Sequence, residues 1–483
     1  MTKTRAKKLP EKPAIKKAMQ IDLAGLTTDM AVIGFTGALG SGCSYLARGL
    51  AKHHGYAYCS LSSPIHEYAK ANGIKETTGN LQDIGNEFRR RLGCGYLVGM
   101  AMTQLCQAMA ADGGPKPVGI VVDGIRNTGE LDALQQLPNF FLVSVQAETD
   151  VRKHRLIGKG KKFKDETEFN VADDRDRDEH TKYGQQVKLC NYLSDIIVIN
   201  EKEVSEEAQI PHKHYIGDVI YDSYVTLIEH VSKGLPPNER RAKPQEALMT
   251  AAYVESKRSS CLKRKVGAVI ASPTGDIIAA GHNDVPEASD PCLTDPRYGW
   301  CARDVIQERL GRQIRHCPNC GEVVKITGTC EKCGQEFNEY ANHCPTCHSS
   351  VDMVYVCPKC SRSVFTDFLA GSSAETGKLL DLCRSLHAEE NAILNLAKFG
   401  IHLPHFHRVN PEDGKKSLEA CSLFSTTFPC NLCANKIVTV GIKKVVYAEP
   451  YTMEEARNVF KKEGVILERF QGVKSRAFFR LYA

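Results

Sequence analysis

Four side chains that can perform metal-assisted hydrolysis lie in two short segments of this 483-residue sequence. His387 and Glu389 form a His-x-Glu pair, and Cys430 and Cys433 form a Cys-x-x-Cys pair directly after Pro429. One imidazole and two thiolates leave the fourth tetrahedral position of zinc open to water, as in catalytic rather than structural sites. Zinc makes hydroxide available near neutral pH, and a glutamate that is close to the metal but not bound to it can carry the proton.

The sequence around both pairs predicts elements that can bring them together. Segment 423–427 has the pattern of a strand, and a helix is predicted to open at 429–430 and to stop near Gly441. A second helix is predicted over 390–399. Both pairs therefore stand at helix N-termini, whose backbone amides stabilise thiolate. This order of motifs is typical of zinc-dependent nucleobase deaminases, so we predict zinc on the histidine and the two cysteines, with Glu389 as the catalytic residue.

Composition and length are those of an ordinary soluble protein with two or three domains. The chain is 42% hydrophobic and 25% charged, and its net charge of +6 is too mild to require a nucleic-acid partner. No apolar run approaches the ~18 residues that cross a bilayer, so no membrane association is predicted. Residues 1–29 are basic and lack the apolar core of a secretory signal; we interpret them as a flexible tail, with a nucleic-acid-contacting arm as the alternative.

The first predicted domain covers residues 30–235 and is an α/β domain with a parallel sheet. A buried strand at 31–35 is followed by a glycine-rich loop and a helix, and later apolar runs alternate with helical stretches. The later runs are 118–122, 140–145 and 195–200. Segment 234–238 is the predicted linker that ends this domain.

Loop 37–44 matches the phosphate-binding pattern G-x-x-x-x-G-K-[ST] except that Cys43 replaces the lysine. The glycines still permit a nest of amides around phosphates, but the cation that neutralises phosphate charge is lost. We therefore predict binding of a nucleoside triphosphate with Mg²⁺, without efficient phosphoryl transfer; the alternative is a loop that only turns the chain. The predicted contacts are Gly37, Gly40, Ser41, Gly42, Cys43, Ser44 and Asp123.

A group of arginines in the same domain gives a weaker hypothesis. Their guanidinium groups match phosphate oxygens, so they are candidates to surround the phosphates of a second nucleotide, although solvated arginines on helices are common. The residues are Arg89, Arg90, Arg91, Arg126, Arg152 and Arg155.

The second predicted domain covers residues 245–483 and is interrupted by an insertion at 292–383. A helix at 244–260 and a hairpin at 266–282 precede the insertion, and the zinc motifs follow it.

Of the 20 cysteines, ten occur in Cys-x-x-Cys pairs, which is metal spacing and, without an export signal, indicates the cytoplasm. Eight of them form a repeat inside the insertion, which predicts two structural Cys₄ zinc ribbons at 317–333 and 344–360. Unligated thiols and an interleaved pairing are the alternatives. The predicted ligands are Cys317, Cys320, Cys330, Cys333, Cys344, Cys347, Cys357 and Cys360.

Several segments together resemble the deoxycytidylate deaminases. They are 259–270, 281–286, HAEENAI at 387–393 and TTFPCNLC at 426–433. The glycine-rich loop and segment 81–95 resemble deoxynucleoside-monophosphate and dephospho-coenzyme-A kinases. The combination resembles bacterial anti-phage deoxycytidine-nucleotide deaminases.

This resemblance implies a P-loop NTPase-like domain joined to a cytidine-deaminase-like α/β/α domain that carries the zinc-ribbon insertion. It implies hydrolysis of dCTP or dCMP to deoxyuridine nucleotides and ammonia, which depletes the pool for phage DNA synthesis. It further implies a homo-oligomer and, in some members, an inhibitory small RNA. Asn283 matches the asparagine that holds the nucleotide near its sugar, and Arg264 is a candidate phosphate contact whose alternative is a solvated strand start.

Two other classes of function stay open. A nucleic-acid cytidine or adenosine deaminase could use the ribbons to bind RNA or DNA. A binding protein that senses RNA or nucleotides through the ribbons is the non-enzymatic alternative.

Overall fold

The computed structural model describes most of the chain between Asp29 and Tyr482. The described residues are 29–112, 115–137, 139–179, 181–201, 220–235, 241–303, 306, 322–323, 325–330, 335–337, 352–356, 358–359, 383–398, 408–409, 416–417, 421–450 and 454–482. They group into two compact units. Unit 1 takes the described residues within 1–251, 446–451 and 467–483, and unit 2 takes those within 252–445 and 452–466. Nearly all of the predicted basic tail lies outside the described residues.

Unit 1 is built on a six-stranded sheet in the order β16-β5-β4-β1-β3-β2. Strands β2, β3, β1, β4 and β5 pair in parallel, so the prediction of a parallel sheet is confirmed. Its strands are β1 Ala31–Thr36, β2 Ala57–Ser60, β3 Gly119–Asp123, β4 Phe140–Gln146, β5 Ile196–Ile199 and β16 Gly472–Val473.

Helices flank this sheet, as expected for strands that read as continuous apolar runs. Strands β1, β3 and β4 are buried at every residue. A π-helix at Tyr221–Val225 runs directly into α9. The helices are α1 Cys43–His54, α2 Ser63–Ala71, α3 Thr78–Leu92, α4 Tyr96–Asp112, α5 Thr128–Leu134, α6 Thr149–Leu156, α7 Glu166–Arg177, α8 Val187–Leu193 and α9 Thr226–Ser232. The next helix, α10 Pro244–Ser256, begins in unit 1 and ends in unit 2.

The C-terminal residues 467–482 belong to unit 1, although the sequence analysis assigned them to the second domain. Strand β16 pairs antiparallel with β5, and α14 (Ser475–Tyr482) contributes Ala477 and Leu481 to the core of this unit. Lys474 is fully buried between them and donates hydrogen bonds to two backbone carbonyls of 191–192, at 3.1 and 2.9 Å. The sequence gives no sign of this pairing because it joins segments almost 300 residues apart.

A second sheet has five strands in the order β15-β14-β13-β6-β7. Strand β6 lies between β7 and β13 and is antiparallel to both. Its strands are β6 Gly267–Ala271, β7 Ile277–His282, β13 Ser422–Thr427, β14 Lys444–Glu449 and β15 Ile466–Arg469. Helices α11 Ala388–Lys398, α12 Asn431–Thr439 and α13 Glu454–Lys462 belong to unit 2.

The described residues of the insertion and of the segment after α11 include several short strands. Strands β8, β9 and β10 form an antiparallel sheet in the order β10-β8-β9, and β11 pairs with β12. Their bounds are β8 Lys325–Thr329, β9 Glu336–Phe337, β10 Asp352–Val356, β11 Arg408–Val409 and β12 Lys416–Ser417.

Helix α11 lies close against strand β7, and Gly281 makes this approach possible. A Cβ atom at Gly281 would lie 2.3 Å from the backbone nitrogen of Ala392 and 2.5 Å from the carbonyl oxygen of Ala388. Both contacts are with backbone atoms, which cannot move aside as the end of a flexible side chain can. The glycine therefore sets the distance between β7 and the helix whose first turn carries Glu389.

We predict that Gly281→Ala lowers the catalytic activity of the predicted zinc site at least tenfold and lowers the free energy of unfolding by about 1–3 kcal/mol, because overpacking displaces α11. Thermal unfolding and steady-state kinetics of the full chain measure both effects. Gly79→Ala is the matched control, since a Cβ at this helical glycine meets nothing within 4 Å. Wild-type behaviour of both variants would contradict the packing argument.

Candidate active site

The structure brings His387, Cys430 and Cys433 to one point in unit 2. The Nδ1 atom of His387 lies 3.2 Å from the Sγ of Cys430 and 3.3 Å from the Sγ of Cys433. His387 precedes α11, and Cys430 is the N-cap of α12. Within the described parts of the chain, these three residues form the one group of at least three side chains spaced to hold a metal ion.

The donor set and its spacing fit zinc. One imidazole nitrogen and two sulfurs match a catalytic zinc site, and ordinary Zn–N and Zn–S bonds imply N···S separations of about 3.6 Å. The observed separations lie close to that figure. Zinc held by these residues would supply the Lewis acidity that makes a nucleophile of water near neutral pH.

Electrostatics around the three ligands already favour a thiolate. Hydrogen bonds from Cys433 and from His387 lower the pKa of Cys430 to about 4. The same hydrogen bond raises the pKa of Cys433, and the bond to Cys430 raises the pKa of His387. The Cys430 sulfur therefore carries negative charge near neutral pH, which favours binding of a metal cation.

Glu389 lies one residue into α11 and is only 4% exposed. Its Oε1 atom accepts a hydrogen bond from the Oγ of Ser425 at 2.9 Å. Burial raises the pKa of the Glu389 carboxyl group, which is the direction that suits a group that must gain and lose a proton. The neighbouring Glu390 is different, because its Oε1 accepts from the Nζ of Lys436 at 2.6 Å.

Ser425 is a site residue that the sequence analysis missed. It is fully buried in β13, on the strand that leads to Cys430, and its hydroxyl fixes the orientation of the Glu389 carboxylate. The available signal was a small polar residue in a predicted strand that begins with Leu423 and Phe424 and ends with two threonines. That signal is weak, because serine in a strand is usually solvated or bonded to the backbone.

We predict that Ser425→Ala lowers kcat about 10- to 100-fold with little change in KM, because the carboxylate loses the hydrogen bond that orients it. Ser422→Ala, at the start of the same strand, should leave kcat within about twofold. Steady-state kinetics with zinc-loaded protein measures both. Equal losses in the two variants would show that the strand, rather than the Ser425 hydroxyl, matters.

The predicted substrate contacts Arg264 and Asn283 lie on two adjoining segments of unit 2, before β6 and after β7. The side-chain amide of Asn283 accepts from the backbone nitrogen of Val266 at 2.7 Å and donates to the carbonyl of Arg264 at 2.8 Å. Ser259 Oγ donates to the carbonyl of Asn283, which pins segment 259–266 to β7. In the structure Asn283 therefore holds the loop, and contacts of Asn283 and Arg264 with substrate stay predictions.

In unit 1, the predicted phosphate loop and Asp123 line one cavity of about 500 Å³. Gly40 and Gly42 have φ of 82° and 103°, a left-handed conformation that only glycine adopts freely. The Sγ of Cys43 lies 3.4 Å from the Oγ of Ser41, and burial raises the pKa of Cys43 to about 12. Asp123 accepts a hydrogen bond from the hydroxyl of Tyr58 at 2.8 Å.

The six arginines that are predicted to surround a second nucleotide differ in their partners, and their binding of a nucleotide stays a prediction. Two of them face solvent and pair with Glu87, namely Arg90 and Arg91. Arg152 is buried against Asp173. Arg89, Arg126 and Arg155 line the cavity. Arg89 pairs with Glu130, and Arg126 pairs with Asp176. Arg155 donates hydrogen bonds to the carbonyl oxygens of Gly40 and Asn200.

Of the eight predicted zinc-ribbon cysteines, only Cys330 lies within the described residues, where it is buried directly after β8. The other seven are outside the described residues, so both ribbons stay predictions. None of the described helices is long and apolar enough to cross a membrane.

Comparison with known proteins places a deaminase region over the zinc motifs. Residues 242–449 match the family "Cytidine and deoxycytidylate deaminase zinc-binding region". The chain is 25% identical over 359 residues to a deoxycytidylate deaminase of Schizosaccharomyces pombe, covering 72% of this chain and 76% of that protein. It is 27% identical over 223 residues to the deoxycytidylate deaminase of Saccharomyces cerevisiae, covering 46% of this chain and 43% of that protein.

A solved structure of the dCMP deaminase from cyanophage S-TIM5 is 20% identical, with a TM-score of 0.24, and the match covers 48% of this chain and all of that one. The sequence matches support a plain conclusion: the chain is a deaminase, a hydrolase, with a zinc-binding region of the cytidine and deoxycytidylate type.

Proposed function

We propose that the chain hydrolyses deoxycytidine nucleotides, dCMP or dCTP or both, to the deoxyuridine nucleotide and ammonia. The observation that carries this proposal is the buried Glu389 carboxylate, fixed by Ser425 beside His387, Cys430 and Cys433. The support for a deoxycytidine nucleotide is the name of the relatives, several of which are deoxycytidylate deaminases.

The reaction replaces the amino group of the cytosine ring by oxygen. Water adds to the ring carbon that bears the amine, the C–N bond breaks, and the amine leaves as ammonia. Glu389 takes one proton of the water at the carboxylate oxygen that Ser425 does not occupy and delivers it to the ring nitrogen, where it stays in the product. It then takes the second proton from the new hydroxyl group, which becomes the carbonyl, and delivers it to the amine as the C–N bond breaks. The raised pKa of Glu389 helps it to hold the proton between these two transfers.

The finer parts of the proposal rest on the family resemblance. They are depletion of deoxycytidine nucleotides in anti-phage defence, an inhibitory small RNA, a homo-oligomer and a cytoplasmic location. Two further parts rest on sequence motifs: structural zinc in two ribbons, and a nucleoside triphosphate with Mg²⁺ in a P-loop domain at 30–235.

Ammonia release by the purified, zinc-loaded full chain tests the substrate. The assay compares dCMP, dCTP and single-stranded oligonucleotides that contain cytosine or adenine. Faster turnover of a free nucleotide supports the proposal. Exclusive turnover of an oligonucleotide would favour a nucleic-acid deaminase, and no ammonia from any of these substrates would overturn the proposal.

A further inference from the structure

The cavity of unit 1 has no part in the zinc chemistry, because every residue that lines it lies between Phe35 and Gln185. Its volume of about 500 Å³ is in the range of small-molecule sites, about 300–1,000 Å³. One wall is loop 37–44 and the start of α1, a helix of 12 residues. The first amides of a helix have no partner within the helix, and they attract anions.

Two carbonyl oxygens of loop 37–44 accept hydrogen bonds from side chains outside the loop. The carbonyl oxygen of Gly40 accepts from Arg155 Nη1 at 3.0 Å, and that of Ser41 accepts from Asn200 Nδ2 at 2.8 Å. A Cβ at Gly37 would lie 2.3 Å from the carbonyl oxygen of Val145, so the loop also sits close against β4. These contacts hold the loop against α6, β4 and the residue that follows β5.

Two buried acceptors in the same cavity point to a ligand. Asp176 and Gln185 line it and are only 1% and 2% exposed. Within the described part of the chain, Asp176 Oδ2 and Gln185 Oε1 have no hydrogen-bond partner. A buried acceptor without a donor costs about 1–3 kcal/mol, so a ligand that carries N–H or O–H groups would recover that cost.

Cations near the loop can replace the charge that Cys43 does not supply. Arg126 is bonded to Asp176 and lines the cavity beside the loop. Lys162 also lines the cavity, on the short connection between α6 and α7, and is exposed to solvent. That connection is closed by the hydrogen bonds Gly158 N to Phe163 O at 3.1 Å and Phe163 N to Leu156 O at 3.0 Å.

We propose that this cavity binds a nucleoside phosphate whose phosphate lies at loop 40–44, with Lys162 and Arg126 in place of the P-loop lysine and with Asp176 and Gln185 accepting from its sugar or base. This inference rests on the nucleotide-binding part of the proposed function and names the residues that make such binding possible. It assigns no phosphoryl transfer to the cavity.

Calorimetry with the full zinc-loaded chain tests the proposal. The probes are ATP, GTP and dTTP with Mg²⁺, their monophosphates, and inorganic phosphate; none carries the cytosine amine. At least one nucleotide should bind more tightly than phosphate. Lys162→Met should weaken it about tenfold or more, and Lys161→Met, whose Nζ bonds to the carbonyl of His154, should not.

Two further variants separate charge from folding. Cys43→Lys in the Lys162→Met background should restore affinity to within about threefold, because it returns a cation to the loop. Gln185→Met keeps the volume, removes the acceptor, and should weaken nucleotide but not phosphate. Thermal unfolding identifies any variant that fails to fold.

The outcomes distinguish this inference from the deaminase proposal. If no nucleotide binds, or if phosphate alone binds as tightly, the inference is wrong, whatever the rate of dCMP deamination by the same preparation. If a nucleotide binds but Lys162→Met and Gln185→Met leave its affinity unchanged, the assigned residues are wrong. Nucleotide binding without deamination would instead overturn the function proposed for the zinc motifs.

Discussion

Replacing Glu389 by glutamine should lower kcat for deamination by about 10²- to 10⁴-fold, the range typical of losing a general acid–base group. Glutamine keeps the size of the side chain and can still accept from Ser425 Oγ. It cannot take a proton from water and return it to the leaving amine. The three metal ligands are untouched, so zinc content should stay at the wild-type value. Ammonia release and metal analysis on the same sample measure both quantities.

Glu390→Gln is the matched control for this variant. Glu390 is the next residue of α11, and it pairs with Lys436 on α12. Its loss should change kcat by less than about threefold, because such a partly exposed pair contributes little. Comparable losses in the two variants, or a loss of zinc in Glu389→Gln, would contradict the assignment of Glu389 as the proton carrier.

Replacing Glu130 by alanine should lower the free energy of unfolding of unit 1 by about 3–5 kcal/mol, because it leaves the Arg89 charge buried without its partner. Glu130 and Arg89 are 0% and 2% exposed, and the pair is 2.9 Å apart. Glu130 also accepts from the backbone nitrogens of Arg126 and Asn127, where it completes the capping box of α5. Urea denaturation followed by circular dichroism measures the change.

The comparison for this prediction is Glu87→Ala on α3. Glu87 pairs with Arg90 and Arg91, but those arginines are more than half exposed. Solvent screens such a pair, so its loss should cost less than about 1 kcal/mol. If Glu130→Ala is no more destabilising than Glu87→Ala, the buried pair does not stabilise unit 1 as argued.

Local patterns in the sequence were sufficient to predict the secondary-structure elements that carry the metal site. Strand β13, the N-cap at Cys430 and helix α11 follow from apolar runs, a proline and a glycine, each read within about ten residues. The same patterns predicted four strands of the parallel sheet. Strand β2 was missed because its apolar run, Ala57 to Cys59, is only three residues long.

What the sequence could not show depends on contacts between distant segments. Ser425 meets Glu389 across 36 positions, and Asp176 meets Arg126 across 50. A buried serine and a solvated one look alike in sequence, and so do a paired arginine and a free one. For that reason the sequence could not show which arginines share a cavity, whereas the His-x-Glu and Cys-x-x-Cys pairs, whose spacing itself carries the chemistry, were brought together by the fold.

The position of β16 and α14 affects the order in which the protein can fold as it is synthesised. The edge strand and a core helix of unit 1 are synthesised after the whole zinc-binding region. Until then β5 presents an open edge and the core lacks Ala477 and Leu481. The nascent chain therefore cannot complete its first unit first, as multidomain chains usually do. If translation stops before β16, the released chain contains the zinc-binding region together with an incomplete unit 1.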